Sequence, residues 1–249
     1  MATKIHSSAV IASGARLGHD VTVGAFVVVG DDVTVGDGSE LEAHVVVYGP
    51  TVLGRENRVS SFAVVGGEPQ AKKQDGDRRA TLSIGERNVV REHVTIHRGS
   101  TGAGTGIGDD NLFMAGCHVA HDVDIGSHVT IANGTQLAGH VVVESHVTFG
   151  GLAGVAQFVR VGESAFVAGG AMCERNVPPF VIVQGDRARV RALNVVGLRR
   201  RGVPEASIAS LLGAYMDLFG GKGTRADALA KVSRVDPYVR RLAEALERG

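Results

Sequence analysis

Apolar residues recur at every sixth position over most of this chain. The first run passes through Ile5, Ile11, Leu17, Val23, Val29, Val35, Leu41, Val47, Leu53, Val59 and Val65. A short second run holds Ile84, Val90 and Ile96. A third goes from Ile107 through Phe113, Val119, Ile125, Ile131, Leu137, Val143, Phe149, Val155, Val161 and Val167 to Cys173. The residue that follows is most often glycine, as at Gly18, Gly36, Gly54, Gly108 and Gly126. A fixed six-residue period is the signature of a hexapeptide β-solenoid, whose short strands stack into a prism. Three hexads make one coil, so residues 18 apart in the sequence stack in columns, with coils about 4.8 Å apart. A prism offers faces, corners and loops but no deep crevice of its own. A site must therefore lie on a face, at a loop or between copies of the chain.

The period breaks at residues 67–83, a polar stretch, and at residues 99–106, a glycine-rich one. Both read as loops leaving the prism, and loops on a rigid scaffold are where function concentrates. The repeat ends at Val177-Pro178-Pro179, which a strand ladder does not accommodate. The rest reads as helical. Residues 186–201 are arginine-rich, and Ile208, Leu211, Leu212, Tyr215, Met216 and Phe219 follow on helical spacing after Pro204. Gly220-Gly221 reads as a stop, and Thr224 and Asp236-Pro237 read as helix starts. The expected organisation is an all-β solenoid over 1–185 and an α-helical C-terminal domain over 186–249 that covers the open end.

Composition fits this picture. Aromatic residues make up 4% of the 249 residues and Trp is absent, so a thin prism filled by Val, Ala and Gly suits the chain better than a bulky globular core. Formal charge is zero overall but unevenly spread: residues 1–180 hold 13 basic and 19 acidic side chains, and residues 181–249 hold 13 and 7. A basic tail on an acidic body suits an acidic partner or a phosphorylated ligand; a solvated basic helix explains the same charges. The two cysteines, Cys117 and Cys173, fall inside hexads and read as buried thiols, favouring a reducing cytoplasm. No signal peptide or membrane-spanning stretch is expected, and no nucleic-acid partner.

Ten histidines are many for this length. His19, His128 and His146 fall at outward-facing corners. The informative cluster is His97, His118, His121, Asp122, Gly139, His140 and Gln157. His121, Gly139 and Gln157 are spaced 18 and 18, and so are stacked; Asp122 and His140, also 18 apart, form the neighbouring column. A histidine beside a carboxylate suits proton transfer, with the carboxylate holding the tautomer and stabilising the imidazolium. A backbone N–H at Gly139 suits an oxyanion. No Ser or Cys is paired with the histidine in a nucleophile motif, which favours direct acyl transfer to an acceptor hydroxyl. A zinc site of His97, His118 and His121 is a competing reading, since γ-class carbonic anhydrases place three histidines on such a solenoid; the His118-Val-Ala-His121 spacing is not specific for it. A non-catalytic scaffold is the third.

At these residues the chain resembles the UDP-N-acetylglucosamine acyltransferases that begin lipid A synthesis. The segments that carry the resemblance are Thr95-Ile96-His97-Arg98-Gly99, His118-Val119-Ala120-His121-Asp122, Leu137-Ala138-Gly139-His140-Val141, Gln157-Phe158, Asn176-Val177-Pro178-Pro179 and Gly197-Leu198-Arg199-Arg200-Arg201-Gly202. The resemblance implies a left-handed β-helix, a homotrimer with sites between subunits, and no cofactor or metal. It implies transfer of an (R)-3-hydroxyacyl chain from acyl carrier protein to the 3-hydroxyl of a UDP-amino sugar. His121 is similar to the family's general base, Asp122 to its supporting acid, and Gly139 to the glycine whose N–H meets the thioester oxygen. Gln70, Lys73, His97, His118, His140 and Gln157 match positions lining the sugar and acyl groove. Gly169 matches the position that sets acyl-chain length, and Asn194 and Arg200 match positions near the nucleotide. Ala71, Ala156 and Val196 depart from the family pattern. They leave open an N-acyltransferase acting on a 3-amino UDP-sugar or a related nucleotide sugar.

Overall fold

The sixth-residue apolar positions close the chain into coils. The computed structural model describes residues 2–70, 80–220 and 224–248, and within them the chain forms a parallel β-solenoid and four helices. Three sheets of eleven, nine and eight strands make its faces among the described residues. Most strands are two residues long, the first facing outward and the second inward. Stacking follows the 18-residue offset: Lys4 pairs with Thr22, Thr22 with Glu40, and His118 with Gln136. Where the period breaks, the columns survive. Val64 pairs with Thr95 and Thr95 with His118, so each excursion lengthens a coil without rotating the coils that follow.

One inward column runs Val23, Leu41, Val59, Val90, Phe113, Ile131, Phe149, Val167 and Val183, all buried. Burial of each such side chain is worth roughly 1.5–3 kcal/mol, and the repeat supplies one per hexad. At one corner the backbones of successive coils come too close for a side chain. A Cβ on Gly36 would stand 2.5 Å from the carbonyl carbon of Gly54, and one on Gly54 would stand 2.4 Å from the Gly85 oxygen. A polar ladder threads another buried column. The Asn88 and Asn111 amide N–H groups donate to the side-chain oxygens of Asn57 and Asn88, at 2.9 and 3.0 Å, and Asn88 Nδ2 donates to the Gly108 carbonyl at 3.0 Å. These side chains stand in for inter-coil backbone bonds that corner geometry leaves open.

The end of the solenoid differs from the expectation. Pro178 and Pro179 do stop one face, where Val177 makes only an isolated bridge to Val161. The chain then adds one more parallel strand, Val181–Gln184, and folds back antiparallel through Arg189–Leu193. Residues 189–193 are therefore a strand and not part of the helical tail. Arg189-Val190-Arg191-Ala192 alternates polar with apolar residues, a period of two that the arginine content masks, and Leu193 closes the strand buried.

The helices are α1 (Val195–Arg200), α2 (Glu205–Phe219), α3 (Arg225–Lys231) and α4 (Pro237–Arg248). The starts of α3 and α4 match the cap signals: Thr224 accepts from the Asp227 N–H, and Asp236 Oδ1 accepts from the N–H groups of Tyr238 and Val239. Phe180, Leu193, Leu198, Ile208, Leu211 and Leu242 form a second core, and Tyr215 and Phe219 pack against both cores. Glu163 of the solenoid pairs with Arg201 and Arg241, tying the tail to the last coils. Among the described residues no helix is long and apolar enough to cross a membrane.

Candidate active site

The strand His118–Val119 and its downstream neighbours Gln136–Leu137 and Gly154–Val155 lie in the nine-stranded sheet. After each strand the chain turns a corner in which the second residue has positive φ, at Asp122, His140 and Phe158 (58°, 60° and 65°). The corners are stitched together by backbone bonds, from the His140 N–H to the His121 carbonyl and from the Phe158 N–H to the Gly139 carbonyl. The two columns expected from the 18-residue offset are thus in place, and the Phe158 ring stacks on His140 at 4.7 Å.

Within them His121 Nδ1 lies 2.8 Å from Asp122 Oδ2. The Asp122 carboxylate is nearly enclosed, with 4% of its side chain exposed. Burial pushes its pKa up, but bonds from Ser100, His121 and Thr101 outweigh this and hold it down to about 2, against the ordinary 3.8. An ionised Asp122 accepts from Nδ1–H, which leaves Nε2 of His121 as the free acceptor. The His121 ring lies against Gly139, where a Cβ would stand 2.7 Å from Cε1 and 3.0 Å from Nε2. The Gly139 N–H meets no acceptor among the described residues.

A groove of about 610 Å³ opens beside His121, and Gln70, His118, His121, Gly139 and Gln157 line it together. His97 sits one coil away, its Nδ1 held by the Glu68 carbonyl and its ring edge-on to His118 at 5.0 Å. His118 Nδ1 is held by Thr95 Oγ1 at 2.7 Å. Burial pushes both imidazoles below the usual histidine range, against a smaller upward pull on His97 from the Glu68 carbonyl, so both are neutral donors or acceptors near neutral pH. His140 stands behind the pair, with Nε2 3.7 Å from Asp122 Oδ2.

Other expected residues lie elsewhere. Lys73 falls outside the described residues. Gly169 is exposed at the corner between the eleven- and nine-stranded sheets and does not line the groove. Asn194 and Arg200 line a different cavity of about 540 Å³, beside Thr148 and Phe166 of the eleven-stranded sheet. Asn194 caps α1, accepting from the Gly197 N–H at 3.1 Å while its Nδ2 donates to the Ser164 carbonyl at 2.9 Å. One copy of the chain does not bring these two residues to His121.

The described residues close enough to share a metal ion are His121, Asp122 and His140, with ligand atoms within 4.8 Å. The trio His97, His118 and His121 is not gathered. A cation between His121 and Asp122 would compete with the hydroxyl and N–H groups that already occupy both Asp122 oxygens.

Sequence reasoning missed Ser100, Thr101 and Thr105, which the glycine-rich excursion brings onto Asp122. A signal was present. The excursion sits in the coil immediately before Asp122, so its three hydroxyl residues were stacked next to the carboxylate.

Comparison with known proteins places the chain. A family profile described as UDP-N-acetylglucosamine O-acyltransferase, domain 2, matches residues 176–249, and a bacterial transferase hexapeptide profile matches residues 104–139. The acyl-acyl carrier protein–UDP-N-acetylglucosamine O-acyltransferase of Agrobacterium fabrum is 42% identical over 94% of this chain and 86% of its own length. That of Stenotrophomonas maltophilia is 46% identical over 88% and 84%. The solved UDP-N-acetylglucosamine O-acyltransferase of Moraxella catarrhalis superposes with a TM-score of 0.92 at 32% identity, covering 98% of this chain and 96% of that one. The chain belongs to the acyl carrier protein-dependent UDP-N-acetylglucosamine O-acyltransferase family.

Proposed function

We propose that this chain transfers an (R)-3-hydroxyacyl group from acyl carrier protein to the 3-hydroxyl of UDP-N-acetylglucosamine, the first step of lipid A synthesis. The observation that carries the reading is His121 lining an open groove beside Gly139, with its Nδ1 2.8 Å from the enclosed Asp122 carboxylate. His121 Nε2 takes the proton of the sugar hydroxyl as its oxygen attacks the thioester carbonyl carbon. The N–H of Gly139 binds the oxyanion of the tetrahedral intermediate. The intermediate collapses by breaking the C–S bond, and the carrier thiolate takes the proton back from His121. Gln70, Lys73, His97, His118, His140 and Gln157 hold the sugar and the acyl chain, and Gly169, exposed outside the groove, leaves room for a chain that extends past it.

The working unit is a homotrimer of left-handed solenoids in the cytoplasm. Residues 1–185 act as the catalytic prism and 186–249 as the domain that caps it. The separation of Asn194 and Arg200 from His121 supports the trimer, because a neighbouring copy must supply them if they hold the nucleotide and its phosphates. Arg200 is exposed and makes no ion pair among the described residues, and Asn194 caps the helix that carries it.

The test is an assay of the purified protein with UDP-N-acetylglucosamine and a series of (R)-3-hydroxyacyl-acyl carrier proteins, read by mass spectrometry, beside His121→Ala. Mono-acylated UDP-sugar with an ester bond is expected. Removal of the base should lower turnover by about 10²–10⁴-fold. Unchanged turnover in a folded His121→Ala overturns the mechanism. Product only from a 3-amino UDP-sugar, carrying an amide, overturns O-acylation in favour of N-acylation.

A further inference from the structure

The carboxylate of Asp122 is held more tightly by the glycine-rich loop than by the histidine it serves. Oδ1 accepts from the Thr101 N–H at 3.0 Å and the Thr101 hydroxyl at 2.8 Å. Oδ2 accepts from the Ser100 hydroxyl at 2.5 Å as well as from His121. The Ser100 N–H lies across both oxygens at 3.0 and 3.1 Å. The Asp122 N–H in turn donates to Thr105 Oγ1 at 2.8 Å. The loop itself is anchored at both ends by one atom, the Thr81 carbonyl, which accepts from the N–H groups of Gly99 and Thr105 at 3.2 and 2.9 Å. Asp122 sits at positive φ (58°), so its own backbone leaves the side chain projecting from a corner that other groups must orient.

We infer that Ser100 and Thr101 are positioning residues for the acyl transfer: they clamp the Asp122 carboxylate in one rotation, ionised, with Oδ2 turned to His121 Nδ1. This rests on the reading of His121 as general base. Ser100 is not a nucleophile here. Its oxygen approaches His121 only on the Nδ1 side, at 3.5 Å, where the ring is already engaged by Asp122, and not at Nε2. Without the two hydroxyls the carboxylate keeps only the backbone N–H contacts of Ser100 and Thr101, its rotation is no longer fixed, and the ring loses the aligned partner that keeps its proton on Nδ1. Hydrogen bonds to a charged acceptor are the strong class, and their loss reaches the reaction through His121.

The test compares Ser100→Ala, Thr101→Val, their double variant and Ser100→Thr, which keeps the hydroxyl. Two readouts are taken on each: steady-state kinetics with melting temperature, and the downfield Nδ1–H resonance of His121 in the substrate-free protein. In the double variant kcat should fall by about 10–100-fold with KM changed less than about twofold and melting temperature within a few degrees. The resonance should shift or vanish, and Ser100→Thr should keep both kcat and the resonance. An unchanged kcat in the double variant overturns the inference. So does a fall in kcat that comes with a changed KM and a lowered melting temperature and that Ser100→Thr shares despite keeping the hydroxyl, which marks a purely structural loop. If wild type fails to acylate UDP-N-acetylglucosamine, the proposed function has failed on its own. The clamp is then judged by the resonance: its loss in the double variant supports the clamp, and its persistence overturns it.

Discussion

The imidazole of His121 rests on the face of Gly139 that any other residue would fill. A built Cβ there would stand 2.7 Å from Cε1 and 3.0 Å from Nε2. The residue in the way is a side chain and not backbone, so an added methyl displaces the ring and leaves the coil standing. Gly139→Ala should therefore lower kcat by on the order of 10²-fold, the scale of an ångström-sized misplacement, while thermal unfolding and oligomeric state stay near wild type. A variant that unfolds would show that the coil needs the glycine itself.

Asp122 has a folded-state pKa of about 2, below the ordinary 3.8. Its ionised form is favoured by folding, so its contribution to stability is complete above about pH 4. That contribution is lost as the pH falls through the folded value near 2. Urea unfolding of wild type and Asp122→Asn across that range should show a stability gap at pH 5 that narrows toward pH 2. A gap that widens on acidification would contradict the assignment.

The asparagine ladder makes a prediction about the scaffold alone. In Asn88→Ala the Asn111 N–H and the Gly108 carbonyl both lose their buried partner. Leaving buried polar groups unpaired costs about 1–3 kcal/mol each, so chemical denaturation should show a loss of about 2–6 kcal/mol. Turnover per folded molecule should be unaffected.

Cys117 and Cys173 are free and buried. Burial pushes both thiols up, Cys173 to about 11. Neither presents a thiolate at pH 8, so a chromogenic disulfide reagent should find far less than one thiol per native chain. On denaturation it should find two.

Much of the molecule was legible in the sequence because a solenoid is close to one-dimensional. Once the period is six, the neighbour of any residue above and below lies at a known offset. The offset alone puts His121, Gly139 and Gln157 in one column and Asp122 and His140 in the next. The buried sixth positions and the helix caps at Thr224 and Asp236 follow from equally local rules. The offset carries no information where the period stops. A glycine-rich segment takes its shape from what it touches, so only the tertiary structure showed Ser100 and Thr101 closing on Asp122. It alone showed residues 189–193 pairing as a strand, since the partner Val181–Gln184 and the surface beneath it decide between strand and helix. It also set Asn194 and Arg200 on a different face from His121, because the packing of α1 against the last coils is fixed by side-chain contacts that no repeat encodes.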